Sequence, residues 1–357
     1  MTRFACVLLV VLAAVAPASA HSSRAGCVVP NVRGRTLPAA KQALGRAGCR
    51  VGGVTRVYSG SVRVGRVVSE SPPAGRRLRS GTRVSLRVSK GKRPAPLPTK
   101  TFRVDVGGYR LYMHCTGTGS PTVVLEAGLT RNHGDWSAVE PTAARTTRVC
   151  AYDRAGRGES DTRPPGPFPA ERVTDELHAL LAGSGIPGPY VLGAHSLGGF
   201  FARLYAARYP ADVAGIVLAD GAPESWLAAN WDAVRTSIGD EGGLQVATGI
   251  STLSGFSTGA KPLVVLEQGL GQLPANLPYG GWEDGQKSIA RRSTNAWLVK
   301  VRGVGHSIPF APPAGNAPIV VAALQQVVAA VRGGAPLGPC TAGPLVARGG
   351  DCVDPTG

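Results

Sequence analysis

The chain has 357 residues and 43% apolar content, enough for at least one sizeable core and long enough for two domains. Its net charge of +17 is unevenly spread: residues 21–100 hold eighteen Lys or Arg and one acid, Glu70, while residues 101–357 hold twenty basic and twenty-one acidic residues. This excludes a uniformly basic protein and assigns any affinity for polyanions to an N-terminal module.

Residues 1–20 read as a secretory signal peptide. Arg3 is the positive n-region, Ala5 to Ala16 is a short apolar h-region, and Pro17-Ala18-Ser19-Ala20 ends in a small-x-small cleavage pattern. Cys6 comes too early to take a lipid, and no later segment is apolar over the ~18 residues a membrane span needs. The expectation is a secreted protein without a transmembrane anchor. An exported chain makes nucleic acid an unsuitable partner for the basic block. It points instead to teichoic-type polymers, peptidoglycan carboxylates or lipid headgroups. Cleavage after Ala20 leaves Cys27, Cys49, Cys115, Cys150, Cys340 and Cys352, an even number that reads as disulfides. The absence of a Cys-x-x-Cys pair argues against structural zinc.

In residues 26–91, Ala40, Ala43 and Leu44 are helix-spaced, and Val84, Leu86 and Val88 alternate with polar residues as a half-buried strand does. Pro73 to Gly75 and Ser80-Gly81 mark turns. The Val29-Pro30-Asn31-Val32-Arg33-Gly34 opening, the helix, the Ser71-Pro72-Pro73-Ala74-Gly75 turn and the closing strand to Gly91 together resemble a PASTA domain. The resemblance implies a small α+β unit with a role at the cell wall, binding peptidoglycan or an anionic wall polymer. It also places Cys27 at the start of the first strand and Cys49 at the end of the helix, which pairs them. Residues 92–100, with three prolines, read as an extended linker.

From Thr101 strand and helix patterns alternate. Strands are expected over 109–114, 121–126, 147–152, 190–193, 214–218, 262–266 and 296–301, and helices over 170–181, 197–209 and 318–332. That alternation implies a mostly parallel sheet covered on both faces. Between the strand at 190 and the helix at 197 lies Ala194-His195-Ser196-Leu197-Gly198. A serine there occupies a tight strand-to-helix turn, the nucleophile elbow usually written G-x-S-x-G, whose flanking positions must be small. Alanine at the first position keeps the size requirement. The helix dipole and the Leu197 N–H point at the serine, and a second oxyanion donor is expected near Gly128-Leu129.

The serine needs a base. Of six histidines, His21 lies in the exported tail, and His114 and His178 lie within regular elements. His195 is aimed away from the serine by the turn, and His133 could touch substrate. His306, in Gly303-Val304-Gly305-His306-Ser307, follows a late strand and precedes the last helix, which makes it the candidate base.

The runs VVLEAG, YDRAGRGESD, GAHSLGG and GVGHS together resemble the α/β-hydrolase superfamily across residues 101–335. The resemblance is to esterase- and peptidase-like members. Haloalkane dehalogenases differ, because they carry aspartate where this chain has Ser196. The resemblance implies the chain order serine, acid, histidine. It makes Asp220 the favoured acid, with Glu267 and Asp284 as alternatives, and Leu197 and Leu129 the oxyanion donors. It implies that residues 221–261 form a lid in which Trp226 and Trp231 either line a pocket or pack. It makes Cys115–Cys150 a plausible pair, leaving Cys340–Cys352 to staple a tail over 336–357. The expected function is a secreted, wall-associated serine hydrolase acting on a small-molecule ester or amide, as a carboxylesterase or an aminopeptidase-like enzyme, with no metal or organic cofactor. The alternatives are an inactive wall-binding protein and an acyltransferase.

Overall fold

The computed structural model describes residues 26–310, 312–313 and 315–356; the expected signal peptide and His21 lie outside the described residues. The chain divides into two compact units, residues 1–96 and 97–357.

In the first unit, strand Cys27–Val28 pairs with Arg77–Leu78, and helix Leu37–Arg46 follows. A three-stranded sheet has Arg83–Ser89 at its centre, parallel to Arg50–Val57 and antiparallel to Val67–Ser71. Alternation decides the burial. Val84, Leu86 and Val88 pack with Ala40 and Leu44 of the helix, while Arg83, Ser85 and Arg87 stay exposed. A disulfide joins Cys27 to Cys49.

The second unit is a nine-stranded sheet. In chain order the strands are β1 (Thr99–Asp105), β2 (Arg110–Thr116), β3 (Val123–Glu126), β4 (Val149–Tyr152), β5 (Tyr190–His195), β6 (Val213–Ala219), β7 (Leu263–Gln268), β8 (Ala296–Val301) and β9 (Gly350–Val353). The spatial order is β9-β8-β7-β6-β5-β3-β4-β2-β1. The run from β8 to β4 is parallel; β9, β2 and β1 add antiparallel edges. The central strands are apolar without alternation because both faces are covered. Helix Ala317–Gly333 packs on one face, and Ala170–Ser184, Leu197–Arg208 and Trp282–Ala290 on the other. Among the described residues no helix is long and apolar enough to cross a membrane.

Two expectations change, and one further helix appears. Thr99 and Lys100, read as linker, begin β1 and pair with Thr116 and Cys115. The stretch read as a stapled tail contributes β9, which hydrogen-bonds to β8 along Leu298–Val301. The Trp282–Ala290 helix was not foreseen, because Gly285 interrupts its apolar pattern. Gly285 is needed there, since a Cβ would lie 2.4 Å from Pro223. The remaining disulfides are Cys115–Cys150 and Cys340–Cys352; the first joins residues directly opposite each other on β2 and β4.

Candidate active site

The C-terminal ends of β3, β5, β6 and β8 converge on one edge of the sheet, where open parallel sheets place ligands. Ser196 stands between β5 and helix Leu197–Arg208 at φ 54° and ψ −128°. A non-glycine residue pays about 1–3 kcal/mol for such a backbone. The turn is held by Ser196 N–H donating to the Ala219 carbonyl, and by the Ser196 carbonyl accepting from Gly199 and Ala222 N–H. It is possible only because its neighbours lack side chains. A Cβ on Gly198 would lie 2.5 Å from the Ala127 carbonyl oxygen, and one on Gly199 would lie 2.6 Å from Gly221 Cα.

His306, on the loop after β8, faces the serine. Its Nε2 lies 2.8 Å from Ser196 Oγ and its Nδ1 lies 2.6 Å from Asp220 Oδ2. A carboxylate at Nδ1 fixes the proton there and leaves Nε2 to accept from the hydroxyl. Asp220 follows β6, is fully buried, and has φ 51°. Besides His306 it accepts hydrogen bonds from Gln268 N–H at 3.2 Å, Gln268 Nε2 at 3.0 Å and Trp282 Nε1 at 2.9 Å. The alternative acids lie elsewhere. Glu267 neighbours Lys300, and burial pushes its carboxyl up to about 7. Asp284 sits in the first turn of the Trp282 helix.

Two backbone N–H groups border the serine. Leu197 is the first residue of its helix, so its N–H has no intrahelical acceptor. Leu129 N–H makes no hydrogen bond to the described residues, and a Cβ on neighbouring Gly128 would lie 3.2 Å from Ser196 Cβ. What turns this loop toward the serine is Arg154, from the YDRAGRGESD run, which is 2% exposed. Its guanidinium donates to the carbonyls of Ala127 at 2.7 Å and Gly128 at 2.6 Å. It also binds the carboxylates of Glu126 and Glu241. Glu241 in turn accepts from Thr130 N–H at 2.8 Å. With the Ala127 and Gly128 carbonyls and the Thr130 N–H all held by this network, the Leu129 N–H is the loop donor left without a hydrogen bond to the described residues. Burial raises Glu126 to about 7 against the opposing pull of Arg154.

His195 points away from the serine hydroxyl and toward the His306 backbone instead. Its buried Nε2 donates to the His306 carbonyl at 2.8 Å. Burial lowers its pKa to about 3, so it is neutral at neutral pH. His133, read as a possible substrate contact, is bound through Nδ1 to Asp153 at 2.9 Å. His114 pairs with Glu140, and His178 stacks on Tyr209. Trp226 and Trp231 part company. Trp226 lines the apolar cavity beside Ser196, and Trp231 lines a separate, larger groove.

The sheet and its covering helices have the alpha/beta hydrolase fold. A family model for the alpha/beta hydrolase fold matches residues 121–261, and a PASTA domain model matches residues 28–90. The chain therefore carries an alpha/beta hydrolase domain together with an N-terminal PASTA domain. An esterase from Thermogutta terrifontis superposes with a TM-score of 0.51 at 22% identity, covering 65% of this chain and 99% of that one; the likeness is one of fold. An uncharacterized protein of Schizosaccharomyces pombe is 31% identical over 151 residues, covering 34% of this chain and 28% of that protein. An AB hydrolase superfamily protein of Gibberella zeae is 32% identical over 90 residues, covering 25% of this chain and 28% of that protein. The matches to the first three curated relatives span 28%, 19% and 48% of their lengths.

Proposed function

We propose that residues 97–357 form a serine hydrolase that cleaves an ester or amide bond through an acyl-enzyme, and that the basic module holds the exported protein at a bacterial cell wall. The observation that carries the first part is the unbroken hydrogen-bond chain from Ser196 through His306 to Asp220. As Ser196 Oγ attacks the substrate carbonyl carbon, its proton passes to His306 Nε2. Asp220 holds the imidazole in the required tautomer and stabilises the imidazolium. The oxyanion meets the N–H groups of Leu129 and Leu197. His306 then hands the proton to the leaving group, and water resolves the acyl-enzyme by the reverse route. These steps need no metal or organic cofactor.

The test is labelling with a fluorophosphonate probe followed by peptide mapping. The label is expected on Ser196 and is absent from Ser196→Ala. A folded wild type that takes no label overturns the reading and leaves a wall-binding protein without hydrolysis.

Support for the wall comes from the open sheet face of the PASTA domain. Arg50 lies directly opposite Arg83, and Arg87 follows on the same strand. Like charges directly opposite destabilise a sheet, and a bound polyanion relieves the repulsion. The full-length protein is expected to co-sediment with purified cell walls at low salt. Exposed charge pairs are largely screened over the ~8 Å Debye length of physiological salt, so the bound fraction falls as salt rises. The triple variant Arg50→Ser, Arg83→Ser, Arg87→Ser should bind less. Absence from the low-salt pellet would remove the wall from the proposal.

A further inference from the structure

The geometry points to a substrate class: esters whose acyl group is short, apolar and uncharged. This rests on the reading of Ser196 as nucleophile and narrows it. Beside Ser196 and His306 is a cavity of about 40 Å³. On this measure one water needs about 10–15 Å³, so the cavity holds roughly three waters and leaves room for a short acyl chain only.

Its chemistry is as restrictive as its size. Apart from Ser196 and His306 every lining side chain is hydrocarbon or indole, among them Leu129, Trp226, Leu227, Val234, Ile238 and Trp282. Both indole N–H groups are already engaged outside the cavity. Trp226 Nε1 donates to the Pro278 carbonyl at 2.8 Å, and Trp282 Nε1 to Asp220 at 2.9 Å. No lining side chain is a carboxylate that could meet an α-ammonium group. A buried charge without a partner is costly, so an aminoacyl substrate with a free amine is disfavoured here. That separates the esterase-like reading from the aminopeptidase-like one.

The length limit has an identifiable wall. Helix Glu224–Ser237 divides the cavity from a groove of about 850 Å³. Leu227, Val234 and, just past the helix, Ile238 line the small cavity, at the spacing of one helical face. Ala228, Trp231, Asp232 and Arg235 line the groove. Leu227 alone among these helix residues lines both. Its side chain is the partition that stops an acyl chain from running on into the groove.

The experiment measures kcat/KM for p-nitrophenyl acetate, butyrate, hexanoate, octanoate and decanoate, with an alanine p-nitroanilide as the aminoacyl probe. Wild type is expected to peak at acetate or butyrate and to lose at least about tenfold by octanoate, as apolar pockets discriminate methylenes. Leu227→Ala should raise the octanoate-to-acetate ratio at least about tenfold. Val234→Phe, which fills the cavity from the same face, should lower the butyrate-to-acetate ratio and covers the case in which Leu227→Ala misfolds. A wild-type optimum at octanoate or beyond, preferential cleavage of the anilide, or ratios unmoved in both variants would overturn the inference. Fluorophosphonate labelling separates the two levels. A labelled Ser196 with no chain-length preference sinks the acyl pocket alone, and an unlabelled Ser196 sinks the hydrolase reading with it.

Discussion

If Asp220 is the acid of the proposed triad, Asp220→Asn is expected to lower kcat on the order of 10⁴-fold in folded protein, the loss that follows when the carboxylate behind a catalytic imidazole becomes an amide. Asp220 Oδ2 accepts the His306 Nδ1 proton in a fully buried setting. An asparagine can turn its NH₂ toward Nδ1, which moves the ring proton to Nε2. The imidazole then has no lone pair for the Ser196 hydroxyl, and the imidazolium loses its counter-charge. The same assay on Glu267→Gln and Asp284→Asn should give kcat close to wild type, because neither residue reaches His306. Steady-state kinetics with circular dichroism checks all three. A mild loss in Asp220→Asn together with a large loss in Glu267→Gln would transfer the acid role and discard the assignment.

The second large effect belongs to a residue that touches no reacting atom. Arg154→Lys is expected to lower the melting temperature and to reduce kcat at least about tenfold, with KM less affected. Removing an oxyanion donor outright costs about 10²–10³ in kcat, and Arg154 holds the loop that carries the proposed donor, Leu129 N–H. The guanidinium satisfies two carboxylates and two loop carbonyls at once. A lysine brings a single ammonium with three donors and cannot reproduce that fork. Arg154→Met goes further, since it strands Glu126 and Glu241 without a cation, and breaking a buried pair in this way costs about 3–5 kcal/mol. A purely structural arginine would lower the melting temperature and leave kcat of the folded fraction unchanged, so that split decides the matter.

What the sequence made legible follows from how local each constraint is. Ser196 stands out because its turn is steric: Ala194, Gly198 and Gly199 must be small within a few residues of it. The apolar runs of β3, β5 and β7 are equally local. Asp220 could be favoured only over Glu267 and Asp284, because a carboxylate after a strand carries no mark of which ring it meets. The partners that hold it come from far along the chain: Gln268 is 48 residues away and Trp282 is 62. The link from Arg154 to Glu241 spans 87 residues. Such contacts exist only once the sheet has formed, so no spacing announces them. The outer strands β1 and β9 escaped for another reason. Lys100 and Asp351 face outward there, and Pro96 and Pro98, just ahead of β1, gave the stretch the look of a linker.

The bond between Cys115 and Cys150 encloses everything from the end of β2 to β4, and the Gly128-Leu129 loop lies inside that ring. Its closing residues are 35 apart. In a chain-entropy account a cross-link of that span removes roughly 4 kcal/mol worth of disorder from the unfolded ensemble. The restraint does not depend on the sheet staying intact. When the β1–β2 edge frays, the Gly128-Leu129 segment remains covalently ringed to the strand that leads into Arg154. The Gly128-Leu129 loop and the strand that leads into Arg154 therefore stay tied by a covalent bond as well as by the sheet.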